Sequence, residues 1–205
     1  MSTKLDKYLL KVTPERHPVL AEMEQYAREN HFPIVGPLVG RLLYQLVLTV
    51  KARKLLELGS GFGYSAFWLS LAVGSKGHIT LTDTRMQNKR RAYDYFKKAG
   101  LQSQFDFKVT DALMALKKLS GPYDLIFNDI DKEGYPETIA PAAHLLRKGG
   151  LFVTDNVFLS GRVLDKNPDK TAQAVLDFTN RLYQDSRFFT TLIPLRDGLS
   201  VAVRV

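Results

Sequence analysis

At 205 residues, 45% of them hydrophobic, the chain is long enough for one substantial core and too short for two comfortable ones, so a single domain over 1–205 is expected. The absence of cysteine excludes a disulfide framework, a thiolate metal site and cysteine nucleophile chemistry. Lysine and arginine outnumber aspartate and glutamate by 29 to 21, a formal charge of +8, which favours anionic ligands through long-range attraction without establishing nucleic-acid binding.

The first twenty residues mix charged and apolar side chains with no continuous apolar stretch, reading as neither a signal peptide nor a membrane anchor, so a cytoplasmic protein is expected. Residues 1–50 read as an N-terminal helical part. Pro14 behind Thr13 looks like a first-turn proline after an N-cap, Asn30 to Gly36 is a connection, and Pro37 opens a segment running towards Val50. From Lys54 the pattern changes to short apolar runs alternating with amphipathic segments. The candidate strands are Lys54–Leu58, Ile79–Thr82, Phe105–Val109, Tyr123–Phe127, Leu151–Thr154, Phe188–Ile193 and Leu199–Val203. Long connections between most of them imply right-handed crossovers and a doubly wound α/β fold with about seven mostly parallel strands. The last two runs are separated only by a segment with Pro194 and Asp197-Gly198, so they form an antiparallel C-terminal hairpin at a sheet edge. Lys89, Arg90, Arg91, Lys97 and Lys98 fall on one predicted helix and read as a solvated face.

The strongest local signal is the strand Leu55-Leu56-Glu57-Leu58 running into Gly59-Ser60-Gly61-Phe62-Gly63-Tyr64-Ser65 and then into a helical pattern. Glycines allow close approach of the backbone to a ligand, and the helix N-terminus behind them offers unpaired N–H groups. A dinucleotide fingerprint would need glycine where Tyr64 stands, so that reading fails. Asp83, twenty residues after Gly63, ends the second strand, where an acid can accept hydrogen bonds from ribose hydroxyls; loop and acid together indicate an adenosine cofactor. Glu57 lies inside an apolar run and, if buried, needs a partner such as an ammonium group or backbone donors. Trp68 reads as core.

Asn128-Asp129-Ile130-Asp131-Lys132 follows the fourth strand and Thr154-Asp155-Asn156 the fifth. Both groups converge at the carboxyl edge of the sheet, where doubly wound folds bind ligands. Asp129, Asp155 and Asn156 offer hard oxygen ligands that suit Mg²⁺ or Ca²⁺ better than zinc. His17, His31, His78 and His144 are scattered and read as ordinary side chains.

These segments, with Asp129 to Tyr135, Gly149 to Val157, Ser160 to Val163 and Pro194 to Gly198, resemble the cation-dependent O-methyltransferases, the family of catechol and caffeoyl-coenzyme A O-methyltransferases. The resemblance runs from Pro33 to the C-terminus. It implies a Rossmann-like class I methyltransferase that uses S-adenosylmethionine and a divalent cation to methylate a hydroxyl of a small catechol-like or hydroxycinnamate-like aromatic. It implies Asp129, Asp155 and Asn156 as metal ligands and Lys132 as general base, acting beside Asp129. Around the cofactor it places Val35, Gly36, Glu57, Gly59, Ser60, Gly61, Tyr64, Ser65, Asp83, Asp111, Ala112 and Asp129. A homodimer is implied as well. Asn128 departs from a commonly apolar position, Thr84-Arg85 replaces a more acidic neighbourhood after Asp83, and the short N-terminal region speaks against coenzyme A thioesters as substrates. Two alternatives stay open. An RNA or protein methyltransferase would suit the net charge, although no Asn-Pro-Pro-Tyr-like turn follows the fourth strand. A noncatalytic cofactor-binding or nucleic-acid-binding module would keep the fold, although the joint presence of Asp129, Lys132, Asp155 and Asn156 argues against decay. The segment from Val157 to Asp169 is a candidate cover for the substrate.

Overall fold

The structure is a computed structural model that describes residues 4–205. Three helices precede the sheet: α1 (Lys4–Val12), α2 (Pro18–Glu29) and α3 (Gly36–Thr49). The second does not start at Pro14. His17 caps it, Nδ1 accepting from the Val19 amide at 3.2 Å, and Pro18 takes the first-turn position. Thr13 instead closes α1 by donating its hydroxyl to the Leu9 carbonyl at 2.7 Å. Both dipeptides place a side chain with a hydrogen-bonding atom before proline. Only the second leads directly into Val19, Leu20 and Met23, which the core buries.

Strands and helices then alternate: β1 (Lys54–Leu58), α4 (Tyr64–Val73), β2 (His78–Asp83), α5 (Met86–Lys98), β3 (Phe105–Val109), α6 (Ala112–Leu116), β4 (Tyr123–Asn128), α7 (Tyr135–Leu145), β5 (Leu146–Asp155), α8 (Lys170–Gln184), β6 (Phe188–Ile193) and β7 (Leu199–Arg204). The sheet order is β3-β2-β1-β4-β5-β7-β6. Strands β1 to β5 pair in parallel, and β7 runs antiparallel to both β5 and β6. The final hairpin therefore forms as its short connection requires, but β7 lies inside the sheet and β6 is the edge. Strand β5 begins five residues before its apolar run, because Leu146 already pairs with Tyr123, and the register then shifts across Arg147, Lys148, Gly149 and Gly150, with Gly149 at a φ of 72°.

Side chains alternate between two cores. Leu55, Leu125, Phe127, Leu151 and Val153 pack with α2 to α5, whereas Leu56, Leu58, Ile126 and Phe152 pack with α6 to α8. Burial on both faces explains why the strands read as continuous apolar runs. Each Leu or Phe withdrawn from water contributes roughly 1.5–3 kcal/mol. Part of the basic face of α5 is committed locally: the Arg91 guanidinium lies 4.0 Å above the Tyr26 ring, and Lys98 pairs with Glu22. Among the described residues no helix is long and apolar enough to cross a membrane.

At the amino end of the sheet, Asp124 ties β4 to its neighbours. It accepts from the Arg53 and Lys54 amides at 2.7 and 2.8 Å and from Arg147 Nε at 2.5 Å. Burial alone would raise this carboxyl, but the Lys54 amide, the Arg147 guanidinium and the Arg53 amide outweigh it and hold the carboxyl below its usual range. A depressed carboxylate contributes stability above its unfolded pKa and loses it as pH falls through the folded one. Asp124→Asn is expected to cost about 1–3 kcal/mol at neutral pH. In urea titrations the difference from the parent should shrink as pH drops below about 4.

Candidate functional site

The strand order reverses between β1 and β4, and the crevice this creates at the carboxyl end of the sheet is the expected ligand position. The Asp129 amide donates to the Leu58 carbonyl at 2.9 Å. A Cβ on Gly59 would sit 2.5 Å from the Asp129 carbonyl oxygen, so only glycine lets the two chain segments meet here, with φ at 79°. The loop is also fastened to β2, since the Gly59 and Ser60 amides donate to the Thr82 carbonyl at 3.1 and 2.8 Å. Gly61 donates to Asp83 Oδ2 at 3.1 Å, while Asp83 Oδ1 accepts from the Arg85 amide at 2.8 Å and from Asn88 Nδ2 at 3.0 Å. Three of the roughly four acceptor positions of that carboxylate are used. Room for one ribose hydroxyl, on Oδ2, is what Asp83 retains.

A cavity of about 820 Å³ opens over this loop. Val35, Gly59, Ser60, Gly61, Tyr64, Ser65, Asp83, Asp111, Ala112, Asp129, Lys132, Asp155 and Asn156 all line it. Asp111 also caps α6, accepting from the Met114 amide at 2.9 Å. Tyr64 reaches the wall, but its hydroxyl donates away from the cavity to Glu24 Oε1 at 2.8 Å, and Glu24 in turn binds Arg16. Gly36 belongs to a second cavity, of about 1190 Å³, which also contains Asp155, Asn156 and Arg196. Phe32, Asn88 and Arg196 are wall residues for which the sequence carries no signal of a site role. Phe32 and Arg196 are placed by loops and Asn88 by the first turn of α5, and no motif spacing encodes these positions.

Glu57 lies outside both walls, fully buried beneath the loop. Its Oε1 accepts the Ser65 hydroxyl, and its Oε2 has no partner. Burial pushes the carboxyl up to about 8, Ser65 and Ser60 pull against that, and the charges of Asp129 and Asp83 add to it. An unpartnered buried carboxylate oxygen at this depth is a strong acceptor without a donor. It suits the ammonium group of an amino-acid-like ligand.

Asp129 and Asp155 form a second acidic centre. Asp129 keeps 26% of its side-chain surface exposed through the cavity and accepts from Lys132 Nζ at 2.9 Å. Its carboxyl is raised by burial, against the opposing charges of Lys132 and Arg196. Asp155 is pushed up to about 7 by burial and then by Asp129, with the Asn156 amide, Lys132 and Arg196 pulling it down. The Tyr135 hydroxyl holds the Asp155 carbonyl at 2.8 Å, and Asn156 turns the chain with φ at 56°, a conformation asparagine tolerates. Two mutually repelling carboxylates beside an amide oxygen are a donor set that fits a hard divalent cation. Among the described residues no group of three or more His, Cys, Asp or Glu is placed to hold a metal ion.

Asn128, behind Asp129, donates weakly to Thr154 Oγ1 at 3.5 Å and leaves its own carbonyl oxygen without a partner. The segment after β5 is pinned at its start. Val157 and Phe158 donate to the Gly198 and Asp197 carbonyls at 3.1 and 2.9 Å, and the Ser160 amide donates to the Asp197 carboxylate.

A family model described as O-methyltransferase matches residues 11–205. Catechol O-methyltransferase domain-containing protein 1 of Mus musculus is 30% identical over 209 residues, spanning 97% of this chain and 79% of that protein. Catechol O-methyltransferase of Niastella koreensis is 32% identical, spanning 82% and 81%. Among solved structures, the O-methyltransferase TomG from Streptomyces achromogenes, in complex with SAM, superposes with a TM-score of 0.91 at 29% identity over 100% of this chain and 97% of its own. An O-methyltransferase from Bacillus cereus in complex with SAH gives 0.90 at 27% identity over 100% and 98%.

The raised Glu57 carboxyl makes a claim about the ligand-free protein. Its stabilising, protonated form is fully favoured below the unfolded value of 4.5 and is lost as pH rises through about 8. Glu57→Gln should therefore melt roughly 5 °C above the parent at about pH 9 and level with it near about pH 4. A scan that shows a constant offset across that range would contradict the assignment.

Proposed function

This chain belongs to the O-methyltransferase family and is an S-adenosylmethionine-dependent O-methyltransferase; from that premise we propose that its acceptor is a hydroxyl of a small catechol-like or hydroxycinnamate-like aromatic and that it works with a divalent cation, Mg²⁺ or Ca²⁺. The observation that carries the reading is the position of Asp155 and Asn156, which line both cavities at once. An oxygen-donor group at that junction lies where a methyl donor in one cavity meets an acceptor in the other. The relatives point the same way, since the proteins of Mus musculus and Niastella koreensis both carry catechol O-methyltransferase in their names.

In this proposal Asp129, Asp155 and Asn156 would hold the cation, which supplies Lewis-acid polarisation of the acceptor hydroxyl. Ser60, Gly61 and Asp83 bind the cofactor, Asp83 through its remaining acceptor position, while Glu57, buried beneath the loop, acts on it through its charge and its bond from Ser65. Lys132 lies 2.9 Å from Asp129 Oδ1 and 3.2 Å from the Ile130 carbonyl, over the Tyr135 ring. Released from Asp129 and having given up its own proton to solvent, the neutral amine would take the hydroxyl proton. The acceptor oxygen then bonds the methyl carbon as the carbon–sulfur bond breaks, so most of the rate enhancement comes from positioning.

We also propose a homodimer. Helix α1 leaves Leu5, Tyr8 and Val12 at 63%, 60% and 55% exposure, and Leu48 of the neighbouring α3 is 54% exposed, an apolar group of the kind that marks an association surface.

Two measurements test these readings. Transfer from labelled S-adenosylmethionine to a panel of catechols and hydroxycinnamates is expected with Mg²⁺ or Ca²⁺ and lost in excess EDTA. Asp155→Ala should lower it by about a hundredfold or more, and cofactor binding without turnover under all conditions would defeat the acceptor and metal assignments. By light scattering after gel filtration, the parent should run as a dimer and the Leu5→Glu, Tyr8→Glu double variant as a monomer.

A further inference from the structure

Arg196, in the turn between β6 and β7, occupies a conformation that its residue type disfavours. Its φ is 52°, in the left-handed region, which side chains bearing a Cβ rarely adopt. Its Nη1 donates to the Ile34 carbonyl at 3.1 Å and to the Val35 carbonyl. The guanidinium thus lies over the N-terminus of α3, where a helix dipole opposes a cation. Gly36 leaves the space it fills, since a Cβ there would stand 2.6 Å from Nη1. What offsets these costs is the field of the acidic centre, because the charge of Arg196 acts on both Asp129 and Asp155.

This anchoring uses one nitrogen only. Among the described residues Nε and Nη2 make no hydrogen bond, and Arg196 is an exposed residue, so that edge of the fork is open. The residue lines the second cavity together with Asp155 and Asn156 and does not line the cavity over the glycine loop. A guanidinium fixed by its third nitrogen presents two parallel N–H groups, the geometry that matches a planar carboxylate in bidentate fashion. We propose that the Nε/Nη2 edge of Arg196 receives a carboxylate carried by the methyl acceptor, so that the substrate class is catechol acids rather than neutral or amine-bearing catechols. The inference rests on the second cavity being the acceptor site.

The same chemistry could come from the carboxylate of the cofactor, and the test separates the two. Wild type, Arg196→Gln, Arg196→Glu and Arg28→Gln, the last at an α2 arginine that also lines the second cavity, are compared on protocatechuate, its methyl ester and dopamine. Steady-state kinetics are paired with calorimetric binding of each compound in the presence of S-adenosylhomocysteine and Mg²⁺, and S-adenosylhomocysteine affinity is measured alone. Wild type is expected to favour the acid over the ester by about tenfold or more in kcat/KM, expressed in KM and in calorimetric Kd. Arg196→Gln should bring that ratio close to one, and Arg196→Glu should turn the preference towards dopamine. An acid-to-ester ratio that Arg196→Gln leaves intact overturns the proposal, as does loss of the ratio in Arg28→Gln alone, which would move the contact to α2. Weakened S-adenosylhomocysteine binding with an unaltered acceptor ratio would assign the arginine to the cofactor and also overturn it. Turnover without charge preference removes this inference alone, whereas cofactor binding without turnover of any of the three removes the functional reading with it.

Discussion

Everything at the site depends on how closely the end of β1 approaches the end of β4. The two strands are neighbours across the point where the strand order reverses, and the chain after each is drawn together by the Asp129 amide on the Leu58 carbonyl. That contact is possible because Gly59 carries no Cβ to strike the Asp129 backbone. It fixes the glycine loop and the first acidic residue of the acceptor side as one rigid unit. A bulkier residue would separate them, and the cofactor cavity would lose its alignment with the acidic centre. Methyl transfer is a reaction in which alignment is most of what a protein contributes, so a steric constraint in two peptide units sets the chemistry of the whole molecule.

Electrostatics is arranged around that unit in the same economical way. Three carboxyls, Glu57, Asp129 and Asp155, are raised by burial, and the charge of Asp129 adds to the rise of the other two. Two side-chain cations, Lys132 and Arg196, act on both members of the acidic pair. The site is therefore built with excess acceptor character. Such an arrangement is costly on its own and becomes favourable when positively charged ligands enter. The overall charge of +8 does not describe it, because the surface is basic while the centre is acidic.

The sequence carried the architecture well where a pattern repeats. Short runs rich in apolar and β-branched residues mark strands, so β1, β3 and β6 were legible to the residue, and a hairpin too short for a crossover had to be antiparallel. Helix α2 was misplaced because capping by His17 is not a strong sequence signal, whereas Thr13 before Pro14 looks like one. The extended start of β5 was hidden by its charged and glycine residues. At the site, the residues attached to strand ends could be foreseen, since strand ends have fixed positions. Asp83 and Asp129 belong to that class. The inward turn of Arg196 could not be foreseen, because a left-handed φ at a non-glycine residue leaves no mark in the sequence.

The turn from Leu195 to Gly198 also grips the segment that follows β5, through the backbone of Asp197 and Gly198 and through the Asp197 carboxylate. One four-residue connection therefore touches the start of α3, the wall of the second cavity and the loop beyond the acidic centre. Its hold on the cavity over the glycine loop is confined to the Ile34 and Val35 carbonyls. Divergence confined to this turn would redirect which molecules the fold modifies while leaving the methyl-donating half inherited intact, which makes it the natural hinge between a shared engine and a changeable clientele.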